Sequence, residues 1–185
     1  MGSLIEERAL AAVVESAASG DEVAFARIVA AHHADMTRVC FVVCGDVELA
    51  REGVQAAWPI AWRKLGSLRD PERLRPWLIA VAANETRHLM GRRNRRSVVE
   101  IHLEDDEGDR LGDRGGGDPA EHASEVDLAA ALQRLAPQDR TVVAMRYLVG
   151  LTSVEIGQAI GMSPPGVRAR LARLLDRLWE DLRDG

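Results

Sequence analysis

Apolar residues recur along the first half of this chain at three- and four-residue intervals, the period of an α-helix with one buried face. Leu4, Ile5, Ala9, Val13 and Ala17 form one such stripe, and Gly20 followed by Asp21 marks its stop and the N-cap of the next helix. Ala24, Phe25, Ile28, Val29, His32 and Met36 carry the second stripe, after which Gly45 and Asp46 repeat the stop-and-cap signal. Val47, Ala50, Val54, Ala57, Trp58, Ala61 and Trp62 define a third. Pro59 lies inside it and predicts a kink or a clipped end. Asp70-Pro71-Glu72 reads as a cap with proline at the first helical position. Pro76 then leads into the apolar run from Trp77 to Ala83, which passes through Asn84 into a basic tail. No strand-like alternation survives in this half.

The second half is patterned the same way. Val126, Leu128, Ala129, Leu132 and Leu135 make one stripe, and Pro137 opens a helix through Val142, Val143, Met145, Arg146, Tyr147 and Leu148 that Gly150 closes. Thr152-Ser153-Val154-Glu155 has the form of a capping box, a hydroxyl for the N3 amide and a carboxylate that answers it. A short helix runs from there to Ile160 and is broken by Gly161. Ser163-Pro164 caps a last helix through Val167, Leu171, Leu174, Leu175, Leu178 and Leu182. The expected fold class is all-α: two small helical domains, residues 1–97 and 125–185, joined by a flexible acidic linker over 98–124.

Composition supports this. Of 185 residues 46% are hydrophobic, 29% charged and only 4% aromatic, a globular mix suited to helices packed through small aliphatic contacts. No stretch approaches the ~18–20 apolar residues that span a bilayer. The first residues are acidic where a signal peptide would be basic, and two cysteines make no disulfide framework, so a cytoplasmic location is expected. The net charge of −5 argues against a nucleic-acid partner only if it is spread evenly. It is not. Residues 1–97 carry a net +2, residues 98–127 a net −9 and residues 128–185 a net +2. The middle segment, with Gly112, Gly115, Gly116, Gly117 and Pro119, has the composition of a solvated tether.

Two cationic surfaces stand out. From Thr152 to Leu171 the pattern is helix, glycine turn, helix, with Gly157 where a close approach is needed and Ile156, Ile160, Met162 and Val167 as the apolar wedge. Arg168, Arg170, Arg173 and Arg177 follow on the second helix, cations able to neutralise phosphates and reach base edges in a major groove. The bland alternative is an αα-hairpin with a solvated face. Capping box, paired glycines and cationic helix together favour DNA binding. Between Arg87 and Arg96 five arginines fall within ten residues, directly after a helix bearing Trp77 and Asn84. Dipole compensation at a helix end needs one or two cations, so five suggest a phosphate footprint beside an aromatic that can stack on an unpaired base. Trp58 and Trp62 are read as core, while Glu52 and Gln55 share an exposed face, either a docking surface or merely solvated.

Little favours an enzyme. His32, His33, Cys40 and Cys44 lack a second well-spaced ligand pair, and the glycine run has no following Lys-Ser/Thr. No cofactor or metal is expected.

In this order, the two helical modules resemble a bacterial sigma factor of the small extracytoplasmic-function group, which retains only regions 2 and 4. The stretch from Ala50 to Trp62 resembles the segment that binds core polymerase, with Glu52 and Gln55 at its acidic and amide positions. Trp77 to Asn84, followed by the arginine run, resembles the helix that recognises the −10 element. Leu132 to Arg140, Met145-Arg146-Tyr147 and Gly150 to Arg170 resemble the −35 module. The sequence departs from the family at Ala56, Pro59, Ala80, Ala83, His88, Pro165 and Gly166. The resemblance implies core RNA polymerase, promoter DNA and an anti-sigma factor as partners, with no membrane insertion and no chemistry of its own. It places polymerase binding on Glu52 and Gln55. It assigns −10 contacts to Trp77, Asn84, Arg87, His88, Arg92 and Arg93, with a flipped base held in the loop from Ser67 to Pro76. It assigns −35 contacts to Ser163, Pro165, Arg168, Arg170 and Arg173. The linker carboxylates Glu104, Asp105, Asp106, Glu107 and Asp109 are expected to mimic nucleic acid and block unassisted DNA binding. The alternative is a sigma-like regulator or decoy that binds DNA or a partner without initiating transcription.

Overall fold

The computed structural model describes the backbone of residues 2–100 and 119–183 and the side chains of residues 9–95 and 127–183. Eight α-helices occupy the described residues: α1 (Gly2–Ala18), α2 (Glu22–Cys44), α3 (Val47–Lys64), α4 (Leu74–Glu100), α5 (Pro119–Arg134), α6 (Pro137–Val143), α7 (Ser153–Ile160) and α8 (Pro164–Arg183). Short 3₁₀ turns at Leu65–Ser67 and Pro71–Arg73 link α3 to α4, and a π turn, Ala144–Leu148, follows α6. No strand occurs among the described residues. The acidic carboxylates 104–109 lie outside them. Helical backbone reaches into the expected linker from both sides, to Glu100 and from Pro119.

The helix starts are set by local hydrogen bonds. Asp21 accepts from the Val23 and Ala24 amides at 2.9 and 3.1 Å, and Asp46 accepts from Leu49 at 2.9 Å. Asp70 accepts from Glu72 at 3.1 Å and opens the turn that feeds α4. Pro59 does not interrupt α3, which runs unbroken to Lys64. Proline forfeits one backbone bond there, but Ala57 and Ala61 on either side are fully buried, and that packing carries the helix through.

Helices α2, α3 and α4 pack on one another, with α1 lying across α2 and the two 3₁₀ turns. Met36, Val39 and Val43 from α2, Ala50, Val54, Ala57 and Ala61 from α3, and Leu74, Leu78, Ile79, Ala82 and Ala83 from α4 form this core. Each fully buried Leu or Ile contributes about 1.5–3 kcal/mol. The alanines on α3 and α4 let the helices approach closely, and at Gly53 they touch: an added methyl there would overlap the Thr86 hydroxyl. Thr86 itself donates to the Ala82 carbonyl at 3.0 Å. Phe25 meets Trp58 and Trp62 edge-on at 5.8 and 4.7 Å, so both tryptophans are half-buried against α2, not sealed in the core.

Cys40 is fully buried, and burial pushes its thiol up to about 12; burial raises Cys44 as well. No metal-holding group of histidines, cysteines and carboxylates exists among the described residues. Nor is any described helix long and apolar enough to cross a membrane.

In the second module α5, α6 and α7 all pack on α8. Ala131, Leu135, Val142, Met145, Leu151, Ile156, Val167, Leu171, Leu174 and Leu178 fill the centre. The helix expected from Pro137 to Leu148 instead widens at Ala144, where the Val149 amide reaches back to the Ala144 carbonyl at 3.2 Å. The two modules also touch. Helix α6 and the π turn pack on α2, and α7 packs on α4.

Candidate nucleic-acid interface

The turn between α7 and α8 is built almost wholly from neighbouring residues. Glu155 donates its amide to the Thr152 hydroxyl at 3.2 Å, and the Thr152 amide donates to the Glu155 carboxylate at 2.7 Å, completing the capping box. Gly161 ends α7 at φ +73, the left-handed region that costs other residues strain, and the Met162 amide closes the turn on the Gly157 carbonyl at 2.8 Å. Gly157 was expected to ease a helix crossing. It instead faces the turn: an added methyl would overlap the Met162 backbone carbonyl. Ser163 accepts from the Gly166 amide at 3.3 Å and caps α8.

Val167, Leu171, Leu174 and Leu178 fasten α8 to the module, leaving Ser163, Pro165, Arg168, Arg173 and Arg177 exposed on its other faces. Arg170 is not among these. Its Nε donates to Asp139 of α6 at 2.7 Å, and both side chains are mostly covered, at 25% and 17% exposure. An arginine held this way presents only its remaining nitrogens, in one orientation. Arg146 donates to the Leu151 carbonyl at 3.1 Å and braces the approach to α7.

On α4 the buried side carries Leu74, Leu78, Ile79, Ala82, Ala83 and Thr86; Asn84 and His88 are exposed, and Trp77 is half-buried with its ring packed against the core. Ala80 and Ala83, two of the departures from the family pattern, are buried, so neither belongs to the outward face. Arg92 and Arg93 are exposed farther along. Asp46 holds Arg93 at 2.7 Å with the carboxylate oxygen its capping bond leaves over; the Leu49 amide first and then Arg93 lower its carboxyl below the usual range. His88 pairs with Glu85 at 3.4 Å. Arg87 is half-buried and donates to the Asn84 side-chain oxygen. Burial, and then the positive charge of Arg170 on the other module, hold its guanidinium below its ordinary value. Arg87 therefore lies within electrostatic reach of Arg170. The remaining candidates, Glu52 and Gln55, lie exposed on α3, away from the core-facing Gly53, Val54 and Ala57.

The ties from Arg170 to Asp139 and from Arg93 to Asp46 were not foreseen. Each joins residues far apart in sequence, and no local pattern announces such a pair.

Two family models match the chain. Sigma-70 region 2 matches residues 28–96 and sigma-70 region 4 matches residues 125–178. The RNA polymerase sigma factor CarQ of Myxococcus xanthus is 30% identical over 132 residues, covering 71% of this chain and 74% of its own length. The ECF RNA polymerase sigma factor SigW of Bacillus subtilis is 24% identical over 178 residues, covering 92% and 95%. Against a longer relative, "Probable RNA polymerase sigma factor RfaY" of Xanthomonas campestris, the chain is 29% identical and spans 40% of that protein. Among solved structures, the sigma factor RpoE in complex with the anti-sigma factor NepR from Bartonella quintana shares the fold at a TM-score of 0.67 and 19% identity, over 86% of this chain and 96% of that one.

Proposed function

This chain belongs to the RNA polymerase sigma factors, in the extracytoplasmic-function group, and from that premise we propose how its own residues direct core polymerase to promoters. It is a specificity subunit and carries out no reaction itself. Helix α8 enters the major groove of the −35 element behind its Ser163 cap, with Arg168 reading base edges or phosphate, Arg173 on the backbone and Arg170 braced against Asp139. The α4 face with Trp77, Asn84 and His88 receives the melted −10 strand, and Arg87, Arg92 and Arg93 grip its phosphates. A base captured in the loop from Ser67 to Pro76 offsets an unstacking cost of a few kcal/mol. Glu52 and Gln55 contact the polymerase. The chain acts in the cytoplasm, where polymerase works, and an anti-sigma factor holds it inactive.

One observation carries this reading. A capped helix-turn-helix with exposed Arg168 and Arg173 shares a chain with a second helix on which half-buried Trp77 and exposed Asn84 precede the exposed Arg92 and Arg93. Transcription reconstituted from purified core polymerase and genomic DNA tests it. We expect start sites that need this chain and share −35 and −10 sequences, and that are lost with Glu52→Ala/Gln55→Ala. DNA binding independent of core, with no transcripts, would make the chain a regulator without initiation activity.

A further inference from the structure

The loop that joins α3 to α4 is held at its two ends by apolar packing and elsewhere by little. Leu65 at its entrance and Leu74 at its exit are fully buried, while Ser67, Arg69, Asp70 and Arg73 between them are exposed. Its own hydrogen bonds are local. Ser67 donates to the Lys64 carbonyl at 2.6 Å, the Leu68 amide donates to the Leu65 carbonyl at 3.0 Å, and Asp70 accepts from the Glu72 amide. These bonds shape the two 3₁₀ turns and fasten neither to α2. Arg73 reaches out to the Gln158 carbonyl at 3.4 Å, too long for a firm hold.

The firm polar tie lies one residue past Leu74. Arg75 donates through Nε and Nη2 to the same oxygen of Asp35 on α2, at 3.0 and 2.7 Å, across 40 residues of sequence. Two charge-assisted bonds from one guanidinium fix its orientation as well as its distance. His32, one turn earlier on α2, lies within electrostatic reach of both partners. Burial first, and then the charge of Arg75, hold its imidazole below the ordinary value, so at neutral pH it is uncharged and leaves Asp35 to Arg75. Arg38 stands 3.9 Å from the other Asp35 oxygen and is largely exposed.

The Asp35–Arg75 pair is not what keeps α4 in the module. Leu74, Leu78, Ile79, Ala82 and Ala83 do that, and a partly exposed ion pair adds little to stability. The pair sets where the loop ends and how α4 begins. We propose that Asp35 is a positioning residue for −10 recognition: acting through Arg75, it locks the exit of the Ser67–Pro76 loop onto α2, so that the loop is already shaped when a base unstacks into it. This rests on the reading of that loop as the one that captures the base. The cost of unstacking has to be offset by contacts in the loop, and a loop that must first be ordered returns less of it. Helix α8 contributes neither partner of the pair, so loosening the pair acts on the −10 element alone.

Holoenzyme assembled from core polymerase and the full chain tests this, with a single-stranded −10 oligonucleotide and a −35 duplex taken from a start site mapped by reconstituted transcription. We expect Asp35→Asn to weaken binding of the −10 strand about fivefold, with −35 binding and the melting midpoint of the chain unchanged. Arg75→Gln and the double variant should lose the same amount and no more, because the two residues act as one, and Asp35→Glu should recover most of the loss. Equal losses on both probes, losses that add in the double variant, or a −10 affinity that Asp35→Asn leaves intact each overturn the positioning role. If wild-type holoenzyme binds −10 strands made abasic one position at a time as tightly as the intact strand, the base-capture reading fails instead, and the proposal falls with it.

Discussion

Each module has a glycine with no room for a methyl, and the two glycines differ in what presses on them. At Gly53 the neighbour is a side chain, the Thr86 hydroxyl of α4; at Gly157 it is the main chain, the Met162 carbonyl of the turn. A side chain can be shortened or turned, and a backbone carbonyl that closes a turn cannot. The first module is thus built on adjustable helix packing. The helix-turn-helix is built on fixed local geometry.

The sharpest test of this contrast substitutes both glycines. Gly157→Ala and Gly53→Ala should each destabilise by about 1–3 kcal/mol, seen as a lower denaturation midpoint. Adding Thr86→Ala should recover a good part of the loss at Gly53, and no side-chain truncation should recover it at Gly157. Equal rescue at both sites would erase the distinction.

Next in size are the exposed arginines of α8. Arg168→Ala should cost about 1–3 kcal/mol in −35 binding and relax sequence preference at one position, whereas Arg173→Ala should weaken binding uniformly and lower the salt slope by about one. Binding measured on a −35 duplex at several salt concentrations separates the two.

The tied arginines come third. Asp46→Ala removes both the α3 cap and the hold on Arg93, and should cost about 1 kcal/mol, while Asp46→Asn keeps the cap and costs less. Asp139→Asn frees Arg170 without touching a side-chain cap, because α6 has none at Ala136. Its effect should therefore appear in DNA affinity more than in melting temperature.

The smallest expected effect is on pH. His32 of α2 is held below its ordinary value, by burial first and then by the charge of Arg75, and its Nδ1 is buried without a partner. A histidine depressed in the folded state binds its proton more readily when unfolded. Its stabilising contribution is thus complete above about pH 6.5 and declines as pH falls through the lower folded value. Melting followed between pH 7.5 and 5 should show this decline, and His32→Phe should flatten it.

How far the sequence reveals all this depends on distance along the chain. The caps at Asp21, Asp46 and Thr152, and the left-handed Gly161, follow from residues within a few positions of one another, and all were legible. Pro59 misled because a local penalty was outweighed by Ala57 and Ala61 packing on helices that no local window includes. The π turn after Val143 leaves no mark in a pattern that reads simply as helix. On the candidate site, the shared exposed face of Glu52 and Gln55 on α3 was legible in the sequence, whereas Trp77 proves half-buried against the core. The capture of Arg170 and Arg93 by carboxylates on other helices was not legible. Least legible was the closure of one module on the other, since Val42 and Gln133, or Arg73 and Gln158, meet across a segment whose composition predicts only a tether.

Cys40 carries one last consequence. A sulfur with no exposed surface, whose thiol is pushed up to about 12 by burial, offers peroxide or an alkylating reagent no ready nucleophile. Chemistry at this sulfur therefore waits on a local opening of the first module, and its rate of modification would report how often α2, α3 and α4 part.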